Sequence, residues 1–264
     1  MCGSQFCGRA FELKLRVDAR EHDGEVEEGT QEVLSGEDVP DPFETFKTMT
    51  DYLEDLDEFA FSTRSESDQV LESGETVQVS SRRTVSLDRD NDKLAVTVET
   101  DGEKMHALYD GNTFTFFSRS QNLYVQLDMP DSVDDALSTL ATDYGFAPPL
   151  ADMLYSEIYD SMISRTLTGQ YVGLHQVNME DCHHLAFTET GIDWEIWINA
   201  GDEPIPEKFS ITYKNQPGSP RFTATLVRWE DTPAPLAFEL NTPSDAQKVE
   251  IEEAEVTERE GLPE

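Results

Sequence analysis

The chain has 264 residues, 55 of them Asp or Glu and 19 Lys or Arg, for a formal net charge of −36. A field of that sign repels phosphate backbones and anionic headgroups, which argues against nucleic acid and anionic membrane surfaces as general partners. The longest basic cluster is Arg82-Arg83, and no apolar run approaches the length of a transmembrane segment.

The charge is unevenly spread. Residues 21–41 and 248–264 are acidic and poor in large apolar side chains, while the stretch between them holds all three Trp. Seven Lys against twelve Arg, with so many acids, fits a high-salt proteome in which screening makes surface repulsion tolerable; an ordinary soluble secreted protein is the other reading. Cys2, Cys7 and Cys182 are an odd set that defines no disulfide framework. The Cys2–Cys7 spacing lacks the second pair that four metal ligands require. No basic segment followed by an apolar core opens the chain, so no signal peptide is visible. Met1-Cys2-Gly3-Ser4 reads more readily as an arbitrary start than as the remnant of a lipoprotein processing site.

Taken in order, residues 1–40 offer one short alternating stretch, Phe11–Val17, within an acidic and poorly ordered segment. Asp41 can cap a helix with Pro42 at its first position and Glu44 completing a capping box. Phe43, Phe46, Met49, Leu53 and Leu56 then recur at spacings of three and four, which predicts a helix over about 42–57. Period-2 segments follow: Val77 and Val79; Val85 and Leu87; Leu94, Val96 and Val98; Met105, Ala107 and Tyr109. After the turn signal Asp110-Gly111-Asn112 come Phe114 and Phe116, then Leu123, Val125 and Leu127. Ser132 can cap a helix carrying Val133, Leu137, Leu140 and Tyr144, which Gly145 stops. Pro148-Pro149 opens a second helical piece with Leu150, Met153, Leu154 and Ile158. Strands resume over 170–177, 181–188, 192–199, 208–214 and 221–229, and Phe238 starts a last short one. The total is about ten strands, one leading helix and one helical insertion at about 131–161. A large curved antiparallel sheet must cover its apolar face, and these two helical regions are the only material for it. The expectation is a mainly β (α+β) half-open barrel with helices across its concave face, occupying residues 41–251 as a single domain, with an acidic disordered tail at 252–264.

Motifs that carry chemistry are sparse. No Gly-x-Ser-x-Gly, phosphate-cradling glycine loop or His-Glu-x-x-His occurs. Cys182-His183-His184 is the densest set of ligating side chains. On a strand, Cys182 and His184 share one face, where His175 or His106 would have to complete a metal site, and His183 takes the other. Packing roles for all three are the simpler reading. A Cys182–His184 hydrolase is a weak third class, since it needs a depressed thiol pKa. Asp88–Asp92 resembles part of a calcium loop without its glycine and distal glutamate. Ile192, Trp194, Ile196 and Ile198 share a face, and Trp194 reads either as plain core or as the wall of an apolar cavity.

Tyr171-Val172-Gly173, Cys182–Phe187, Asp193–Ile198 and Gly201-Asp202 with Pro204 and Pro206 stand in an order that resembles a family of predicted periplasmic proteins of unknown function. Tyr109-Asp110-Gly111 and Pro149–Asp152 fit it too, and the resemblance covers about residues 42–251. That family resembles the LolA/LolB-like lipoprotein-localisation-factor superfamily. The resemblance implies a half-open barrel that binds acyl chains or lipoproteins on an apolar concave face, and it carries no catalytic residues. The expected function is therefore a non-enzymatic, periplasmic or otherwise extracytoplasmic carrier of a lipid or lipoprotein acyl chain, its leader missing from this chain. No cofactor and no metal are expected, and the chain is expected to be a monomer. A basic partner protein would answer its charge. The expected concave-face residues are Leu94, Val96, Val98, Phe114, Phe116, Leu123, Val125, Leu185, Phe187, Trp194, Ile196, Phe209 and Ile211, with Leu137, Leu140, Met153 and Leu154 as the lid. The alternative is a protein-interaction or sensor module on the same scaffold, with the concave face filled.

Overall fold

The structure is a computed structural model and describes residues 39–250. The expectations for residues 1–38 and 251–264, including the Phe11–Val17 stretch, the Cys2–Cys7 pair and the disordered tail, lie outside the described residues.

Helix α1 (Pro42–Glu54) begins where its cap dictates: Asp41 Oδ1 accepts from the N–H groups of Phe43 at 2.9 Å and Glu44 at 3.0 Å. Phe46, Met49 and Leu53 form its buried stripe, with Phe43 and Leu56 packed at the margin. The helix stops at Glu54, short of the expected Asp57. Arg89 supplies the reason. Its guanidinium donates to the carbonyls of Leu53 at 3.1 Å and Leu56 at 2.8 Å, acceptors that a continuing helix would have used, and to that of Tyr155 in the insertion at 3.1 Å.

Two antiparallel meanders follow. The first runs through β1 (Glu58–Val70), β2 (Thr76–Asp88), β3 (Lys93–Thr100), β4 (Glu103–Tyr109), β5 (Thr113–Ser118) and β6 (Leu123–Asp128). The second comprises β7 (Thr166–Val177), β8 (Glu180–Glu189), β9 (Ile192–Asn199), β10 (Pro206–Tyr213) and β11 (Arg221–Glu230). Pairing of β1 with β11 joins them, and the two-residue β12 (Gln247–Lys248) lies parallel to β6. The result is one twelve-stranded sheet with β12 and β7 at its two ends, a mainly β fold that is not closed. Between the meanders lie α2 (Val133–Thr142), a 3-10 turn at Ala151–Leu154, and α3 (Ile158–Ile163). Ser132 caps α2 by accepting from the Asp135 N–H at 3.1 Å. Gly145, at φ 65°, ends it, and the Phe146 N–H reaches back to the Leu140 carbonyl at 2.8 Å.

Two expectations need correction. Among the described residues there are twelve strands rather than about ten, and β1 went unread because Phe59, Ala60 and Phe61 are buried in succession before a register shift at Ser62/Thr63. That bulge breaks the period-2 signal. Phe238 starts no strand: it ends a 3-10 turn that begins at Pro235, a residue without the N–H a ladder needs.

Candidate functional site: the half-filled concave face

Alternation within the strands puts one row of side chains after another on the concave face. Pairing sets the rows: Val85, Val96, Ala107, Phe116 and Val125 lie side by side from β2 to β6, and Leu87, Leu94, Tyr109, Phe114 and Leu127 form the next row. On the other half, Leu185 faces Ile196, Phe187 faces Trp194, and Ile196 and Trp194 face Phe209 and Ile211.

The helices treat the two halves differently. Over β7–β9, α1 fills the space. Phe46 lies 5.3 Å from Trp194 and 5.6 Å from Phe187, and Phe187 stacks on Trp194 at 4.1 Å, all ring centre to ring centre. Gly169 on β7 makes room for this plug, since a Cβ there would stand 2.8 Å from the Phe187 ring and 2.9 Å from that of Phe43. The indole Nε1 of Trp194 donates to Glu189 Oε1 at 2.9 Å. Burial raises the Glu189 carboxyl above its ordinary range against the opposing charge of Arg165, 3.7 Å away.

Over β2–β5 the roof stands off the sheet. There, α2 and the segment Phe146–Leu154 enclose a cavity of about 290 Å³. Its floor is Arg83, Val85, Leu94, Val96, Val98, Met105, Ala107, Phe114 and Phe116; its roof is Leu137, Leu140, Phe146, Pro148, Pro149, Leu150, Ala151 and Leu154. Met105 and Phe146 are also partly exposed, which places the mouth at their end. An adjoining space of about 310 Å³ shares the Phe146–Ala151 strap and Leu137 but has polar walls, among them Asp152, Arg165, Glu189 and Tyr213.

Of the residues expected to line a cavity, Leu94, Val96, Val98, Phe114, Phe116, Leu137, Leu140 and Leu154 surround this one. Phe187 and Trp194 are packed against Phe46 of α1, and Leu185 and Ile196 are fully buried in the same core. Phe209 and Met153 border a gap of only about 20 Å³, and Ile211 borders the polar space. Val125 packs at the margin of the core, and Leu123 is only partly buried, on the strand that meets β12. Sequence reading missed Arg83, Val85, Met105, Ala107 and the Phe146–Ala151 strap. The signal for Arg83 was present, because it stands two residues from Val85 and so shares its face.

On the convex face, Cys182 and His184 do share a side. His184 stacks on Trp197 at 4.0 Å, its Nδ1 lies 3.0 Å from that of His175, and its Nε2 lies 2.9 Å from Glu195 Oε2. No group of three or more potential metal ligands occurs among the described residues. Burial pushes the Cys182 thiol up to about 11, which disfavours the thiolate a nucleophile requires. Within Asp88–Asp92, the Asp88 carboxylate accepts from the Asn91 backbone and amide, and Arg89 turns inward to α1.

Residues 43–252 match the family described as "Predicted periplasmic protein (DUF2092)". The chain belongs to that family. The family's description agrees with the expected extracytoplasmic location, and no helix of the described residues is long and apolar enough to cross a membrane. No curated protein matches. Solved structures similar to the chain include an uncharacterized conserved protein from Thermus thermophilus, 13% identical over 78% of this chain and 96% of that one, with a TM-score of 0.46. Lipoprotein LppX of Mycobacterium tuberculosis is 12% identical over 76% and 97%, with a TM-score of 0.45. A LolA superfamily protein from Nitrosomonas europaea is 12% identical over 72% and 94%, with a TM-score of 0.34.

Proposed function

We propose that this family member is a non-enzymatic, extracytoplasmic binder or carrier of a lipid or lipoprotein acyl chain, and that residues 41–251 are its binding domain. The observation that carries the reading is the cavity of about 290 Å³ between β2–β5 and the helical insertion, whose lining is apolar at sixteen of seventeen residues. Such a space stays dry and gains by accepting hydrocarbon, at about 0.8 kcal/mol per buried methylene. Its size is at the low end of the ~300–1,000 Å³ typical of ligand sites, which suits a single chain better than a bulky multi-chain lipid. Native mass spectrometry of protein purified from cells tests this, paired with uptake of a fluorescent fatty acid. Co-purified lipid and saturable uptake are expected. Bare protein together with no uptake would overturn the proposal.

The interaction module remains the second reading, supported by strand β7. It lies at one end of the sheet order and exposes Leu167, Val172 and Leu174, as an edge that accepts another strand would.

A further inference from the structure

Three arginines stand close to the insertion, and two of them have carbonyl or carboxylate partners. Arg89 donates to three carbonyls, and Arg165 lies 3.2 Å from Asp152 and 3.7 Å from Glu189. Arg83 has neither kind of partner. Its Nε, like that of Arg89, is buried without an acceptor, but unlike the other two its guanidinium has no carbonyl or carboxylate partner among the described residues. The guanidinium carbon lies 5.2 Å from the ring centre of Phe222. It is also the one charged side chain among the described residues lining the apolar cavity.

Position adds to this. Arg83 pairs with Val98, and Val98 with the partly exposed Met105, so the three form the row at the mouth. Leu87, four residues along β2, lies about 13 Å deeper at the rise of an extended strand. A half-buried cation whose Nε lacks an acceptor is costly and calls for a partner, and water at the mouth of an apolar cleft satisfies it only from one side. We propose that the cavity takes a single-chain amphiphile with an acidic head, a carboxylate or a phosphate monoester, which docks on Arg83 while its chain runs inward toward Leu94 and Phe114. This rests on the carrier reading above and assigns the head group that reading leaves open. It also answers how a chain of net charge −36 retains an anion: the guanidinium acts at contact range inside a low-dielectric cleft, where the distant acids are screened more effectively than the contact itself.

The test is a binding series on the full chain with probes of one chain length: palmitate, 1-palmitoyl lysophosphatidate, hexadecanol and hexadecylamine. The wild type is expected to bind at least one acid about tenfold or more tighter than the alcohol, and the amine weakest. Arg83→Gln should erase that preference while leaving hexadecanol within about twofold; Arg83→Lys should keep part of it. Whichever acid binds tighter names the source of the head group. Equal binding of acid and alcohol by the wild type, or an undiminished preference in a folded Arg83→Gln, would overturn this inference and leave the carrier reading standing. Failure of all four probes to bind would overturn both.

Discussion

Phe46 of α1 and Trp194 of β9 stand 5.3 Å apart, ring centre to ring centre, with neither side chain reaching solvent. This contact makes the concave face asymmetric: hydrocarbon from the chain itself occupies one half, and the other half is left for something else. Trp194→Ala should therefore cost about 3–5 kcal/mol in urea denaturation, the range for truncating a buried aromatic. It should leave uptake of a fluorescent fatty acid intact under conditions where the variant is folded. Loss of uptake by the folded variant would place the site under α1 instead.

Filling the other half has the converse effect. Ala107 sits mid-floor in the cavity. Ala107→Phe should abolish acyl uptake while changing stability by less than about 1.5 kcal/mol, because the added ring enters space already empty rather than a packed core. Uptake equal to the wild type would show that the chain does not lie there.

Arg89 is predicted to be structural. Arg89→Ala leaves the carbonyls of Leu53, Leu56 and Tyr155 without their shared donor, and a loss of about 2–3 kcal/mol is expected on denaturation. Arg83→Met should do the opposite to the ligand-free chain. It removes a partly desolvated cation whose Nε has no acceptor, and the melting temperature should stay level or rise. A fall comparable to that of Arg89→Ala would mark Arg83 as part of the framework.

Burial holds His183 and His184 below the ordinary imidazole value of 6.5, more strongly than Glu195 raises His184. A depressed value in the folded state means that the unfolded chain takes up the proton first. Their contribution to stability is thus present above pH 6.5 and is lost as pH falls through the folded-state values. Glu189 and Glu207 act with the other sign: burial raises both, so their contribution is full below pH 4.5 and declines as pH rises through the folded-state values. The melting temperature of His183→Gln should fall less between pH 7 and pH 5 than that of the wild type. Parallel curves would assign the acid sensitivity elsewhere.

Cys182 should resist alkylation. Its side chain is buried, and its thiol is held near pH 11. Peptide mapping after iodoacetamide treatment at pH 8 should find it unmodified in the folded chain and modified in denaturant. Rapid modification without unfolding would reopen a chemical role for it.

The sheet was largely legible from the sequence because period 2 survives wherever one face is buried and the other wet. It failed at β1, where Phe59-Ala60-Phe61 and the Ser62/Thr63 bulge erase the alternation. The cavity was legible only in part. Hydrophobic patterning identifies Val96 and Trp194 equally as concave-face residues, and nothing in either strand says that α1 lies close on one while the insertion arches over the other. That difference depends on the seating of Phe46, which Gly169 permits, and on a strap of Phe146-Ala147-Pro148-Pro149 that has no period to read. Arg83 escaped notice because a lone cation in a strand reads as the wet face, although its register with Val85 places it inside.

The seam between β1 and β11 bears on how the chain comes to be folded. Thr63 pairs with Leu226, residues separated by more than half the chain, whereas every other antiparallel pairing joins strands that are neighbours in sequence. Each meander can therefore assemble from hairpins at low loop-closure entropy, and the seam carries the long-range ordering of the antiparallel ladder, to which the packing of α1 over β7–β9 adds. Folding rate should respond most to substitutions along β1 and β11, and unfolding rate to those in the outer hairpins. The floor of the cavity, β2–β5, would then be built within the first meander before the second half of the sheet arrives beside it.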